Sequence, residues 1–157
     1  MWPRYNQRFR DVVAALTDEQ LSMRPAPEQW PLWAIVGHAA CQRVFWLCDF
    51  AGEAGAETTP FTDAGHNCPG DDDLENVLEG AALAEALDTS FLIVENCLDT
   101  WTLDMLGAEL RRPEWGDDWV HTRGSVLQRV FSHDVYHASE VNQVFGAAGL
   151  AQVDLWD

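Results

Sequence analysis

The stretch Gly124-Ser125-Val126-Leu127-Gln128-Arg129-Val130-Phe131-Ser132-His133-Asp134-Val135-Tyr136-His137-Ala138-Ser139-Glu140-Val141 decides how the rest of the chain is read. Val126, Leu127, Val130, Phe131, Val141, Val144 and Phe145 recur at helical spacing, and Gly149 stands where a left-handed cap would end the helix. On a wheel of about 100° per residue the apolar stripe is centred between Val130 and Val141. His137 falls inside that stripe and His133 borders it, so two imidazoles one turn apart look inward. Such a pair can place two nitrogens on one ion. Two hydrogen-bonded histidines at a helix interface would show the same spacing.

Working backwards, three more helices are expected. Tyr5, Phe9, Val12, Val13 and Leu16 are spaced for a first helix from Pro3 to Leu16. Thr17-Asp18-Glu19-Gln20 is a capping box that opens a short helical turn stopped near Pro25. A second helix runs from Pro31 to about Phe50 and is apolar on most sides, which marks it as largely buried. A third starts at Asp71-Asp72-Asp73, whose charges suit a helix N-terminus, and carries Val77, Ala81, Ala84, Leu87, Phe91, Val94, Leu98 and Trp101 toward the core. Residues 51–73 and 107–123 are rich in Gly, Pro and polar residues and read as long connections, the second with room for a short turn of helix. The expectation is all-α: one domain over residues 1–157, a four-helix bundle with long connections between helices two and three and between helices three and four.

Composition narrows the function. With 26 acidic against 9 basic residues the net charge is −17, which repels polyanions and argues against nucleic acid as a partner. No apolar run approaches the roughly 18–20 residues of a membrane span, and the first residues have no signal-peptide character, so a cytoplasmic protein is expected. Cys41, Cys48, Cys68 and Cys97 are sparse and show no CxxC pair, so free thiols are expected. On one helix Cys41 and Cys48 would be separated by roughly 10 Å of rise, too far for a bridge.

Helix two adds a third imidazole. His38 shares a face with Cys41, Phe45 and Cys48 and is expected to point inward. Each buried imidazole needs partners for both nitrogens, and one shared cation would supply three of them.

Taken together, Leu16-Thr17-Asp18-Glu19-Gln20-Leu21, Arg24-Pro25, Trp30, Gly37-His38-Ala39-Ala40 and the helix from Gly124 to Val141, followed by Gly149-Leu150, resemble the DinB/YfiT-like family. Ala138-Ser139 departs mildly from the family's usual pair at that point. The resemblance implies a four-helix bundle of the DinB/YfiT type in which one histidine of helix two and two of helix four bind a divalent metal. Those positions are His38, His133 and His137 here. Zinc or nickel is the leading expectation for the ion, and an all-imidazole site also suits iron or copper. The family includes thiol-dependent transferases and isomerases, so the implied partner is a small-molecule substrate, with a low-molecular-weight thiol or water as nucleophile. A non-enzymatic metal-binding or stress-related bundle with a structural or sensing site is the alternative.

Several residues carry secondary expectations. Asp134 lies near the centre of the apolar stripe and needs a partner, either a ligand imidazole whose tautomer it would fix or an arginine such as Arg43, unless the bundle splays there and leaves it near solvent. Glu140 suits a fourth ligand, a base or a solvated boundary charge. His-Asp-Val-Tyr-His differs from a zincin HExxH in its shorter acid and lacks a downstream ligand, so that chemistry is set aside. His66, Cys68 and His121, in or beside the connections, are either plain loop residues or mobile groups that reach the site. Trp30, Trp33, Trp46 and Trp101 are expected to fill the core, while Trp115, Trp119 and Trp156 suit a pocket mouth or a homodimer contact.

Overall fold

Trp2–Ala14 forms helix α1 and buries Phe9 and Val13, two members of the spacing seen in the sequence. The structure, a computed structural model, describes residues 1–155, so the expectation for Trp156 lies outside the described residues. Thr17 caps the short α2, Asp18–Leu21, through the anticipated box: its Oγ1 accepts from Gln20 N at 3.3 Å while its own N–H donates to Gln20 Oε1 at 2.9 Å. Helix α3, Leu32–Val44, starts after Pro31 and buries every residue except Gln42. It runs on into a π-helical turn, Phe45–Phe50.

Helix α4 spans Gly80–Thr100, and the short α5 spans Leu103–Leu106. Strands β1, Glu109–Arg111, and β2, Val120–Thr122, pair antiparallel with Leu110 opposite His121. Helix α6, Arg123–Ala148, is capped by Thr122 and ends at Gly149 in the left-handed conformation. The chain is thus mostly helical, with one small sheet. Helix α4 packs on both α1 and α3, and α3 packs on α6. Trp2 meets Phe91 of α4 and Phe131 of α6 edge-on, bringing α1 to α6. Full burial of a side chain such as Leu83, Leu87 or Phe145 contributes about 1.5–3 kcal/mol. Among the described residues no helix is long and apolar enough to cross a membrane.

Three expectations are corrected. The third long helix begins at Gly80, not at the aspartate run. Asp72 Oδ2 instead accepts from Cys68 N, and Asp73 Oδ1 accepts from Glu75 N and Asn76 N, so these carboxylates build turns. Val77 consequently lies outside the helix and is exposed, as are Ala81 in the helix's first turn and Leu98 on its outer face. The second connection holds the short turn of helix the sequence left room for, at Pro113–Trp115, but the β-branched Val120 and Thr122 also pair with Glu109–Arg111 and turn an all-α expectation into a helical fold with a hairpin. Finally, the cysteines are not all free. Cys41 and Cys68 form a disulfide across 27 residues, leaving Cys48 and Cys97 as thiols. Sequence spacing could not show this bond, since it joins a helix to an aperiodic connection whose path only the fold determines.

Candidate metal centre

His38 comes from the middle of α3, and His133 and His137 from consecutive turns of α6. All three meet. The ring of His38 lies 5.0 Å from that of His133 and 5.1 Å from that of His137, centroid to centroid, and the latter two are 4.3 Å apart. One nitrogen on each ring lies within 4.8 Å of one on each of the others.

The outer contacts set the tautomers. Nδ1 of His38 is 3.1 Å from the Pro69 carbonyl, which can only accept, so Nδ1 carries the hydrogen. Nδ1 of His137 donates likewise to Glu140 Oε2 at 2.7 Å. In both rings the nitrogen left with a lone pair is Nε2. The Nε2 atoms of His137 and His133 are 3.1 Å apart. Two nitrogens bound at about 2.1 Å to one ion, at angles between square and tetrahedral, stand roughly 3.0–3.4 Å apart. Nδ1 of His133 is buried and makes no hydrogen bond within the described residues. The donor set therefore fits a divalent ion: imidazoles only, Nε2 lone pairs on His38 and His137 turned away from their outer partners, and two outer N–H groups already committed.

Electrostatics agree. Burial, followed by the neighbouring imidazoles, pushes His133 down to about 3, and burial with the charge of His38 pushes His137 down to about 4. Burial also lowers His38, against the pull of Asp71. All three rings are neutral near pH 7, the form a metal needs. Burial raises the Glu140 carboxyl, opposed by its bond with Tyr136.

A cavity of about 390 Å³ opens onto the cluster between Trp30, His38, Tyr136 and His137, with Glu28 and Glu140 on its wall. It gives a small molecule access to His38 and His137. A second cavity, about 230 Å³ and mostly apolar, lies between α1 and α6 against Trp2, Phe9 and Phe131, and includes none of the three histidines.

Asp134 takes the second of its two anticipated partners. It accepts from Arg43 Nε at 3.0 Å and from Trp2 Nε1 at 3.0 Å, not from an imidazole of the cluster. Glu140 is a hydrogen-bond partner of His137 and not a free boundary charge. His66 is exposed and bonded to Asp63, and Cys68 is in the disulfide. His121 sits among Trp46, Phe50 and Trp119, so neither loop histidine joins the cluster. Trp115 and Trp119 pack in the same aromatic group against Phe45 and His121, away from the cavity lining. Sequence reasoning missed Pro69. An aperiodic connection gives no signal that one of its carbonyls will meet a particular ring.

The profile of the DinB superfamily matches residues 4–141, and the chain belongs to that superfamily. The fold is similar to the crystal structure of a DinB-like protein from Bacillus cereus, with a TM-score of 0.69 at 18% identity, covering 99% of this chain and 93% of that one. It is also similar to a conserved protein from Enterococcus faecalis, with a TM-score of 0.64 at 18% identity and 92% of both chains covered. No curated protein sequence matches significantly.

Proposed function

We propose that this DinB-superfamily chain is a metal-dependent enzyme built on a four-helix bundle, with His38, His133 and His137 as ligands to one divalent ion, zinc or nickel first. The observation that carries the reading is the meeting of three neutral imidazoles from two helices, two of them held by Pro69 and Glu140 so that their lone pairs turn away from those partners. A divalent ion there lowers the pKa of a thiol or water near it, so that the nucleophilic anion exists close to pH 7. The chain's residues do the rest. Glu140 holds the proton on His137 Nδ1 and the Pro69 carbonyl holds that on His38 Nδ1, which fixes both rings. Trp30 and Tyr136 flank the entrance through which a small electrophile would approach.

Elemental analysis of untagged protein should give about one zinc or nickel per chain. Assay of the metal-loaded protein against a panel of thiols and electrophiles then tests the chemistry. Turnover that persists in metal-free protein would defeat the metal-dependent reading. A large fall in melting temperature on chelation, with no turnover in the panel, would assign the ion a structural role.

A further inference from the structure

The segment that holds His38 in place is itself fastened to the body by a bond that thiols can break. Cys68 and Pro69 are adjacent: Cys68 is joined to Cys41, one turn beyond His38 on α3, and Pro69 accepts the His38 Nδ1–H. Residues 68–73 form a compact knob on their own hydrogen bonds, with Asp72 N and Asp73 N donating to Cys68 O and Gly70 N donating to Asp73 O. Its contacts with the helical body are close, and Cys68, Pro69 and Gly70 are all buried. A Cβ on Gly37 would meet the Pro69 ring at 3.0 Å, and one on Gly70, at φ +86°, would meet Trp30 at 2.8 Å. Trp30 in turn packs on the His38 ring, 5.0 Å away.

From this we propose that the Cys41–Cys68 disulfide is a thiol-sensitive latch that sets the metal affinity of the three-histidine site by holding Pro69 on His38. The inference rests on the metal-site reading above. Opening is ordinary exchange: a thiolate attacks one sulfur and forms a mixed disulfide while the other cysteine leaves as a thiolate and takes a proton. A second thiol then resolves the mixed disulfide, so two external thiols become one external disulfide and the protein gains two S–H groups. Cys41 and Cys68 are both buried, so exchange waits on the knob lifting, and the latch answers a sustained change of thiol pool more than a brief one. Once free, the knob no longer fixes the orientation of His38, and loss of such an outer partner lowers metal affinity about 10–100-fold.

The test is competition of zinc against a chromophoric chelator, run on oxidised protein, on protein reduced with a small dithiol and alkylated, and on the C41S/C68S variant. Circular dichroism checks each fold, and thiol titration checks each redox state. The expected result is a metal affinity about 10–100-fold weaker in the reduced and double-variant forms. Gly37→Ala, which crowds Pro69 and leaves the cysteines alone, should weaken zinc in the same direction while the thiol count stays at that of the oxidised protein. Equal affinities in oxidised and reduced protein would overturn the latch and leave the metal site standing. Failure of the oxidised protein to bind zinc at all would overturn both.

Discussion

Helices α3 and α6 bring two polar clusters into one interior, and the two are finished differently. Arg43 donates from Nε to Asp134, and from Nη1 to Asn6 Oδ1 and the Leu87 carbonyl, while Trp2 completes the carboxylate. Among the described residues no buried side-chain nitrogen or oxygen of that group lacks a hydrogen-bond partner. Beside it the three histidines satisfy only two of their outer nitrogens and leave their inner ones facing one another. A buried polar cluster closed on itself fastens helices, whereas one with surplus lone pairs in a shared space is arranged for something from outside. Neighbours in sequence, His133 and Asp134 fall on opposite sides of this division.

The largest effect that could break the comparison comes from His137→Ala, which should abolish stoichiometric metal and any metal-dependent turnover while leaving the helical circular dichroism in place. Retention of one tightly held ion in that variant would remove the distinction. Asp134→Ala should act the other way, costing about 3–5 kcal/mol by leaving the Arg43 guanidinium buried without its carboxylate. Chemical denaturation would measure that loss, and the variant should still take up metal. Next comes the tether between Cys41 and Cys68, whose removal should cost about 2–4 kcal/mol, read from urea midpoints of oxidised against reduced protein.

Acid should separate the clusters again. With His133 and His137 held at about 3 and 4 in the metal-free fold, below the ordinary histidine value, the unfolded chain binds more protons as pH falls through about 6.5. Metal-free protein should therefore keep this stability above that pH and lose it progressively toward about pH 3, seen as a falling melting temperature. The smallest effect belongs to neither cluster: Thr17→Ala, which deletes the cap of α2, should cost about 1 kcal/mol and leave metal content unchanged.

What could be read in advance follows the same physical lines. The histidines were legible because helical period converts spacing into direction, and His38, His133 and His137 all lie on helices long enough for that conversion to hold. Arg43 was legible as one of two partners for Asp134, and the choice between them needed the packing of α3 against α6. The knob at 68–73 was not legible, because aspartates suit a helix start and a turn equally well, and here the backbone of Cys68 supplied the turn. Three-residue strands are likewise too short to show a period, so the hairpin at 109–122 passed for a plain connection.

Trp30, resting against His38, makes the site optically visible. An open-shell cation such as Ni²⁺ beside that imidazole would drain the indole's excited state, while closed-shell Zn²⁺ would leave its emission largely intact. The difference between the native chain and its Trp30→Phe form, recorded during a titration, would then distinguish the two ions by light alone, with the other seven indoles as background.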